Sequence, residues 1–144
     1  MAVKSILMVC QGNICRSPMA EGFFSYQLKS SSVSVSSAGL TALVNYPAEP
    51  TAQSVMEKHG IDISTHRARQ VDQSLIQQTN LILVMTHFQR SIVEKQFLTA
   101  KGKTFLVGHW DFFEIEDPLK KPVEAFEKVY QQVETAWQTW KTRI

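Results

Sequence analysis

The sequence is poor in cysteine: of its 144 residues only Cys10 and Cys15 carry a thiol. No CxxC pair is present, so cysteine alone builds neither a structural zinc site nor a thioredoxin-type pair. Long apolar runs are also missing. The N-terminal run, Ile6 to Cys10, has five residues, against the roughly 7–15 of a signal peptide core and the ~20 of a membrane span. The chain is therefore expected in the cytoplasm, without membrane insertion, where both cysteines stay reduced. An excess of charge of one sign is missing too. Lys and Arg number 15 against 13 acids, a net charge of +2. That bias is too weak for a nucleic-acid partner, which asks for a basic stripe. Disorder is excluded by a 44% hydrophobic and 19% charged composition. The length suggests one domain, residues 1–144, able to bury roughly two thirds of its unfolded surface.

What is present alternates between short apolar runs and amphipathic stretches. Ser5 to Val9 reads as a buried strand. A helix with Pro18 in its first turn follows to about Lys29, with Met19, Phe23, Tyr26 and Leu28 on one side. In Ser30 to Ser37, Val33 and Val35 alternate with serines, a strand signal. Gly39 to Pro50 is a loop, Thr51 to His59 a helix stopped by Gly60, and Asp62 to Gln70 a polar loop. Leu81 to Met85 is a second buried strand, Phe88 to Phe97 a helix, and Thr104 to Val107 the last strand. An irregular stretch, Gly108 to Pro122, precedes a C-terminal helix whose apolar stripe runs Val123, Phe126, Tyr130, Val133, Trp137, Trp140 and Ile144. The expected fold is α/β: a four-stranded open parallel sheet with helices on both faces. Ligands of such sheets bind beyond the carboxyl ends of the strands.

The stretch VCQGNICRSPMAEG, Val9 to Gly22, stands at that end of the first strand and holds both cysteines. A loop between a strand and a helix aims backbone N–H groups at an anion, and the helix dipole adds positive charge. Gly12 lets the backbone come close, Asn13 tolerates left-handed dihedrals, and Arg16 offers a planar fork of donors for phosphate oxygens. Cys10 at the mouth of this cradle should be held as thiolate, an in-line nucleophile for a bound phosphoryl group. Ser17 is placed to donate a hydrogen bond to the sulfur. The loop lacks the GxxxxGK[ST] spacing, which disfavours nucleotide hydrolysis.

VCQGNICRSPMAEG resembles the phosphate-binding loop of the low-molecular-weight protein tyrosine phosphatases. The resemblance continues in order through SAG (Ser37–Gly39), HGI (His59–Ile61), HRARQ (His66–Gln70), DP (Asp117-Pro118) and FEKVYQQV (Phe126–Val133). It implies a metal-free and cofactor-free hydrolase of phosphotyrosine, with Cys10 as nucleophile, Arg16 as phosphate clamp and Asp117 as general acid. The loop from Gln11 through Gly12, Asn13, Ile14 and Cys15 to Arg16 and Ser17 would bind phosphate. Ser37 and His66 would hold Asn13 left-handed. Cys15 would form a reversible disulfide with Cys10 that protects the nucleophile. The implied partner is a phosphotyrosine protein, a bacterial tyrosine kinase among the candidates. On spacing alone Asp111, Glu114 and Glu116 rival Asp117. An acid that must carry its proton predicts an optimum on the acidic side of neutral. His59, His87 and His109 carry no signal.

The sequence departs from the family after its acid, where many members have DPYY and this chain has DPLKKP. Leu119 stands where those tyrosines would wall the cleft. Leu43, Asn45 and Tyr46 are candidates to line it, and Tyr46, Trp110, Phe112 or Phe113 to stack on a substrate ring. Arsenate reductases that share this loop need further downstream cysteines, which this chain lacks. Similar protein arginine phosphatases carry threonine in place of Ile14. A non-catalytic phosphotyrosine binder would be expected to lack the nucleophile or the acid.

Overall fold

A computed structural model describes residues 2–144. Among the described residues, four strands and five α-helices follow one another along the chain. These are β1 (Ser5–Cys10), α1 (Arg16–Gln27), β2 (Ser34–Gly39), α2 (Pro50–Lys58), α3 (Gln73–Gln78), β3 (Leu81–Val84), α4 (His87–Gln96), β4 (Thr104–Leu106) and α5 (Val123–Trp140). The strands form one sheet in the order β2-β1-β3-β4, with every pair parallel. The chain leaves β1 for one side, then returns to its other side as β3. The loop after β1 therefore opens at the point where strand order reverses, the usual ligand crevice of such sheets.

Both faces of the sheet are covered. Side chains alternate along β1, so Ile6, Met8 and Cys10 join one apolar cluster while Leu7 and Val9 join another. The first cluster takes up α1, α2 and α5; the second takes up α3 and α4. Near-continuous apolar strands such as Leu81–Val84, buried at every position, follow from this double cover.

Local chemistry sets several boundaries. Glu49 accepts from the Thr51 N–H at 2.8 Å and Pro50 opens α2. Asp72 and Thr86 cap α3 and α4 in the same way, accepting from Leu75 N–H at 2.8 Å and Gln89 N–H at 3.2 Å. Three expectations are corrected. In α1 the buried stripe is Met19, Ala20, Phe23 and Phe24; Tyr26 is 46% exposed, because the helix meets both α5 and the sheet rather than one narrow seam. α3 was not anticipated: it is six residues long and only Ile76 is buried, too short for a helical period to show. In α5, Val123 is exposed, and Val129 and Ala136 complete the buried face. Trp140 closes that face by donating Nε1–H to the Val107 carbonyl at 2.8 Å.

Candidate active site

Residues 10–17 wrap around the carboxyl end of β1, and α1 begins at Arg16. The first-turn N–H groups of a helix have no intrahelical acceptor, which leaves them for an anion. The loop is built around Asn13, whose φ of 61° lies in the left-handed region and whose side chain is fully buried. Its amide is satisfied on every side. Oδ1 accepts from the Arg69 N–H at 3.0 Å, which fixes which way round the amide sits. Nδ2 then donates to Ser17 Oγ at 2.7 Å and to Ser37 Oγ at 3.0 Å. The Asn13 carbonyl accepts from His66 Nε2–H at 2.7 Å, so that ring carries its proton on Nε2. The Ser37 hydroxyl donates to Glu21 Oε1 at 2.5 Å, and His66 Nδ1 lies 3.9 Å from the same carboxylate.

This wiring reaches the nucleophile through Ser17. Ser17 Oγ lies 2.9 Å from Cys10 Sγ. Asn13 donates to that oxygen, which leaves the Ser17 hydroxyl hydrogen free to donate to the sulfur when Cys10 is a thiolate. Sequence reasoning named Ser37 and His66 only through the resemblance. Glu21 and Arg69 were missed, although Glu21 sits one helical turn beyond Ser17 in the same motif.

A cavity of about 260 Å³ opens above the loop. It is lined by Cys10, Gln11, Gly12, Ile14, Cys15 and Arg16 of the loop and by Thr41, Leu43, Asp117 and Leu119 from other segments. Asn13 and Ser17 lie beneath it, fully buried. Segment 40–43 lies along the loop through N–H groups of Leu40, Thr41 and Leu43 donating to the carbonyls of Cys10, Gln11 and Gly12. Gly39 permits that approach: a Cβ there would stand 2.8 Å from the Gln11 carbonyl oxygen. At Gly12, by contrast, a Cβ would make only ordinary contacts, so internal packing does not demand glycine. Tyr46, a candidate for the cleft, is 58% exposed and outside the cavity lining, as are Asn45, Trp110, Phe112 and Phe113. Thr41, which accepts a hydrogen bond from Gln11 Nε2 at 2.9 Å, takes a lining position that no local pattern flagged.

The rival carboxylates separate once the fold is in view. Asp111 accepts from Thr139 Oγ1 at 3.0 Å, Glu114 from the His87 N–H at 2.8 Å, and Glu116 pairs with Lys121 on the surface. Asp117 alone of the four lines the cavity. Its Oδ1 accepts from the Leu119 N–H at 3.1 Å, an Asx-type turn that aims the carboxylate, and its Oδ2 stands 3.8 Å from Arg16. Arg16 is nearly buried and its second arm donates to the Ile115 carbonyl at 3.0 Å, so the guanidinium is held from both sides of the cavity. Burial pushes the Cys15 thiol up to about 12, helped by the negative charges of Asp117, Cys10 and Glu49 and opposed by Arg16. Cys15 is thus a thiol across the neutral range. Among the described residues, no three His, Cys, Asp or Glu side chains gather as metal ligands would.

An all-parallel sheet with a cysteine–arginine anion loop at its switch point has the architecture of the small cysteine-dependent phosphatases. Residues 5–144 match the family model for low molecular weight phosphotyrosine protein phosphatase. The chain is 44% identical to the probable low molecular weight protein-tyrosine-phosphatase EpsP of Ralstonia nicotianae, over 99% of this chain and 97% of that one. The tyrosine phosphatase Wzb of Escherichia coli K30, solved with sulphate, superposes with a TM-score of 0.93 at 39% identity, covering 99% of both chains. Vibrio vulnificus Wzb, solved with benzylphosphonate, gives 0.94 at 34% identity, over 99% of this chain and all of that one. The chain belongs to the low molecular weight protein-tyrosine-phosphatase family and is a phosphoric monoester hydrolase.

Proposed function

We propose that this phosphatase hydrolyses phosphotyrosine through a phosphocysteine on Cys10, with Asp117 as general acid and then general base. One observation carries the reading. Cys10, held by Ser17, faces the same small cavity as Arg16 and Asp117. Cys10 Sγ attacks phosphorus as thiolate while the P–O bond to the aryl group breaks. Asp117 gives its proton to the leaving phenolate. Water then attacks the phosphocysteine, Asp117 takes its proton, the S–P bond breaks, and the Ser17 hydroxyl receives the returning thiolate charge. Arg16 follows the phosphoryl oxygens through both steps.

Ile14, Leu43 and Leu119 give the cavity lining apolar surface suited to an aromatic ring, which supports phosphotyrosine as the substrate. Cys15 lines the same cavity as Cys10, which supports its role as the resolving thiol if the nucleophile is oxidised. Among the described residues no helix is long and apolar enough to cross a membrane; a cytoplasmic setting and a tyrosine kinase as the phosphorylated partner belong to this proposal. The deciding experiment is phosphate release from a phosphotyrosyl peptide in EDTA near pH 6, beside Cys10→Ser. Release by the wild type alone is the expected result. Equal release by the variant would remove Cys10 from the mechanism.

A further inference from the structure

Of the HRARQ stretch, the site described above uses the His66 ring and the Arg69 N–H and leaves Gln70 without a role. Gln70 reaches instead a segment of the cavity lining. Thr41 and Leu43 line the catalytic cavity, yet residues 40–43 belong to neither helix nor strand. Such a segment keeps its place through the partners of its backbone groups. Three of its N–H groups, those of Leu40, Thr41 and Leu43, donate to phosphate-loop carbonyls at 2.9, 2.9 and 3.1 Å. The fourth, on Ala42, donates to Gln70 Oε1 at 2.9 Å. Nε2 of the same side chain donates to the Leu40 carbonyl at 2.7 Å. A backbone N–H only donates and a carbonyl only accepts, so the two contacts fix the orientation of the amide. One side chain thus bridges Leu40 and Ala42 as a neighbouring strand would.

Gln70 is itself anchored on both sides. The Gly39 N–H donates to the Arg69 carbonyl and the Val71 N–H to the Gly39 carbonyl, both at 2.9 Å, which ties its backbone to the end of β2. Val71 is buried, and the Arg69 N–H is the donor that holds Asn13. The Gln70 amide therefore carries the position of the sheet and of the phosphate loop into the segment that ends at Leu43. We propose that Gln70 is a positioning residue: its amide holds residues 40–43 where Leu43 packs on the aryl ring of a bound phosphotyrosine. The inference rests on the phosphotyrosine reading above. Gln70 is exposed, so water can satisfy both backbone groups in its absence, and global stability changes little. Water does not tether those groups to residue 70, and the lining then loses its fixed place. The cost falls on binding the ring rather than on the chemistry at Cys10.

The test compares Gln70→Ala and Gln70→Glu with wild type. With p-nitrophenyl phosphate, Gln70→Ala should raise KM roughly 3- to 10-fold, the worth of one net hydrogen bond, with kcat within about twofold of wild type. Inorganic phosphate lacks the ring, so its inhibition constant should stay within about twofold of wild type. Gln70→Glu keeps the size of the side chain and the acceptor for Ala42, but it sets a carboxylate oxygen against the Leu40 carbonyl. Its KM should match or exceed that of the alanine variant. In a Leu43→Ala background, Gln70→Ala should add less than about twofold to KM, because the ring contact it serves is already gone. An unchanged KM, a Gln70→Glu enzyme that behaves as wild type, KM and the phosphate constant rising together, or a fully additive double variant overturns the positioning role. Failure of the wild type to turn over aryl phosphates would instead overturn the phosphotyrosine reading. Gln70 is then judged by amide hydrogen exchange. Faster exchange at Ala42 and Leu43 in Gln70→Ala sustains its hold on the segment, and unchanged exchange refutes it.

Discussion

Replacing Asn13 by alanine puts the most weight on the geometry. The substitution removes the donations to Ser17 and Ser37 and the acceptance from the Arg69 N–H. Each such bond is worth about 1 kcal/mol net, and the unpaired Arg69 N–H adds a desolvation penalty of about 1 kcal/mol or more. Alanine must also hold a φ of 61°, at a cost of about 1 kcal/mol or more for a residue with a Cβ and no compensating polar group. The sum is roughly 3–5 kcal/mol. In a chain of this size that corresponds to a fall in Tm of about 10–15 °C. Asn13→Gly separates the contributions: glycine accepts the dihedral but makes none of the bonds, so it should still cost ~3 kcal/mol. Urea denaturation of the three proteins measures both values. A loss under about 1 kcal/mol for Asn13→Ala would show that the buried amide does not hold the loop. A neutral Asn13→Gly would show that the dihedral alone matters. Steady-state kinetics on the same samples should show kcat falling with stability, because Ser17 loses the neighbour whose donation leaves its hydroxyl hydrogen free for Cys10.

Three further outcomes follow from the same geometry. Asp117→Asn should slow aryl phosphates by ~10²–10⁴-fold, while Glu116→Gln, which removes only a surface pairing with Lys121, should leave the rate near wild type; the reverse ranking in kcat would displace Asp117 as the acid. Ser17→Ala should lower kcat roughly 10- to 100-fold, the worth of one hydrogen bond to a charged sulfur, and a change in KM alone would argue against that role. For Cys15, the sign of the pH dependence is set by an acid whose folded value is raised. The buried neutral thiol contributes stability below the unfolded value of 9.0 and loses it as pH climbs toward about 12. The full contribution is up to about 4 kcal/mol, at ~1.4 kcal/mol per pH unit. Wild-type stability should therefore fall more steeply than that of Cys15→Ala above pH 9, read from paired denaturation curves; parallel curves would remove Cys15 as the cause.

The order of strands and helices was legible because apolar runs such as Ile6 to Cys10 and Leu81 to Met85 are short, continuous and separated by amphipathic stretches. A parallel sheet covered on both faces produces that pattern and few other folds do. Its weak points were the elements that carry little burial: α3, with Ile76 alone inside, and the edges of α1 and α5, where which side is buried depends on partners distant in sequence.

The candidate site divides along the same line. Cys10 through Ser17 are contiguous, so spacing alone could suggest an anion loop with a thiol at its mouth. Asn13 was recognised as a residue suited to a left-handed turn for the same local reason. What holds that turn comes from elsewhere: the Arg69 N–H, Ser37, His66 and Glu21 arrive from α1, β2 and the loop after α2, and no local pattern joins them. Asp117 is separated from Cys10 by most of the chain, and three nearby carboxylates matched it in type. The fold distinguished them by giving each of the others a different partner and leaving Asp117 at the cavity. Residue types and contiguous spacing are properties of the chain as written. The Asn13 network behind Ser17, the one carboxylate of four that lines the cavity, and the presence of Thr41 and Leu119 beside it depend on distances between segments, which exist only once the sheet has brought those segments together.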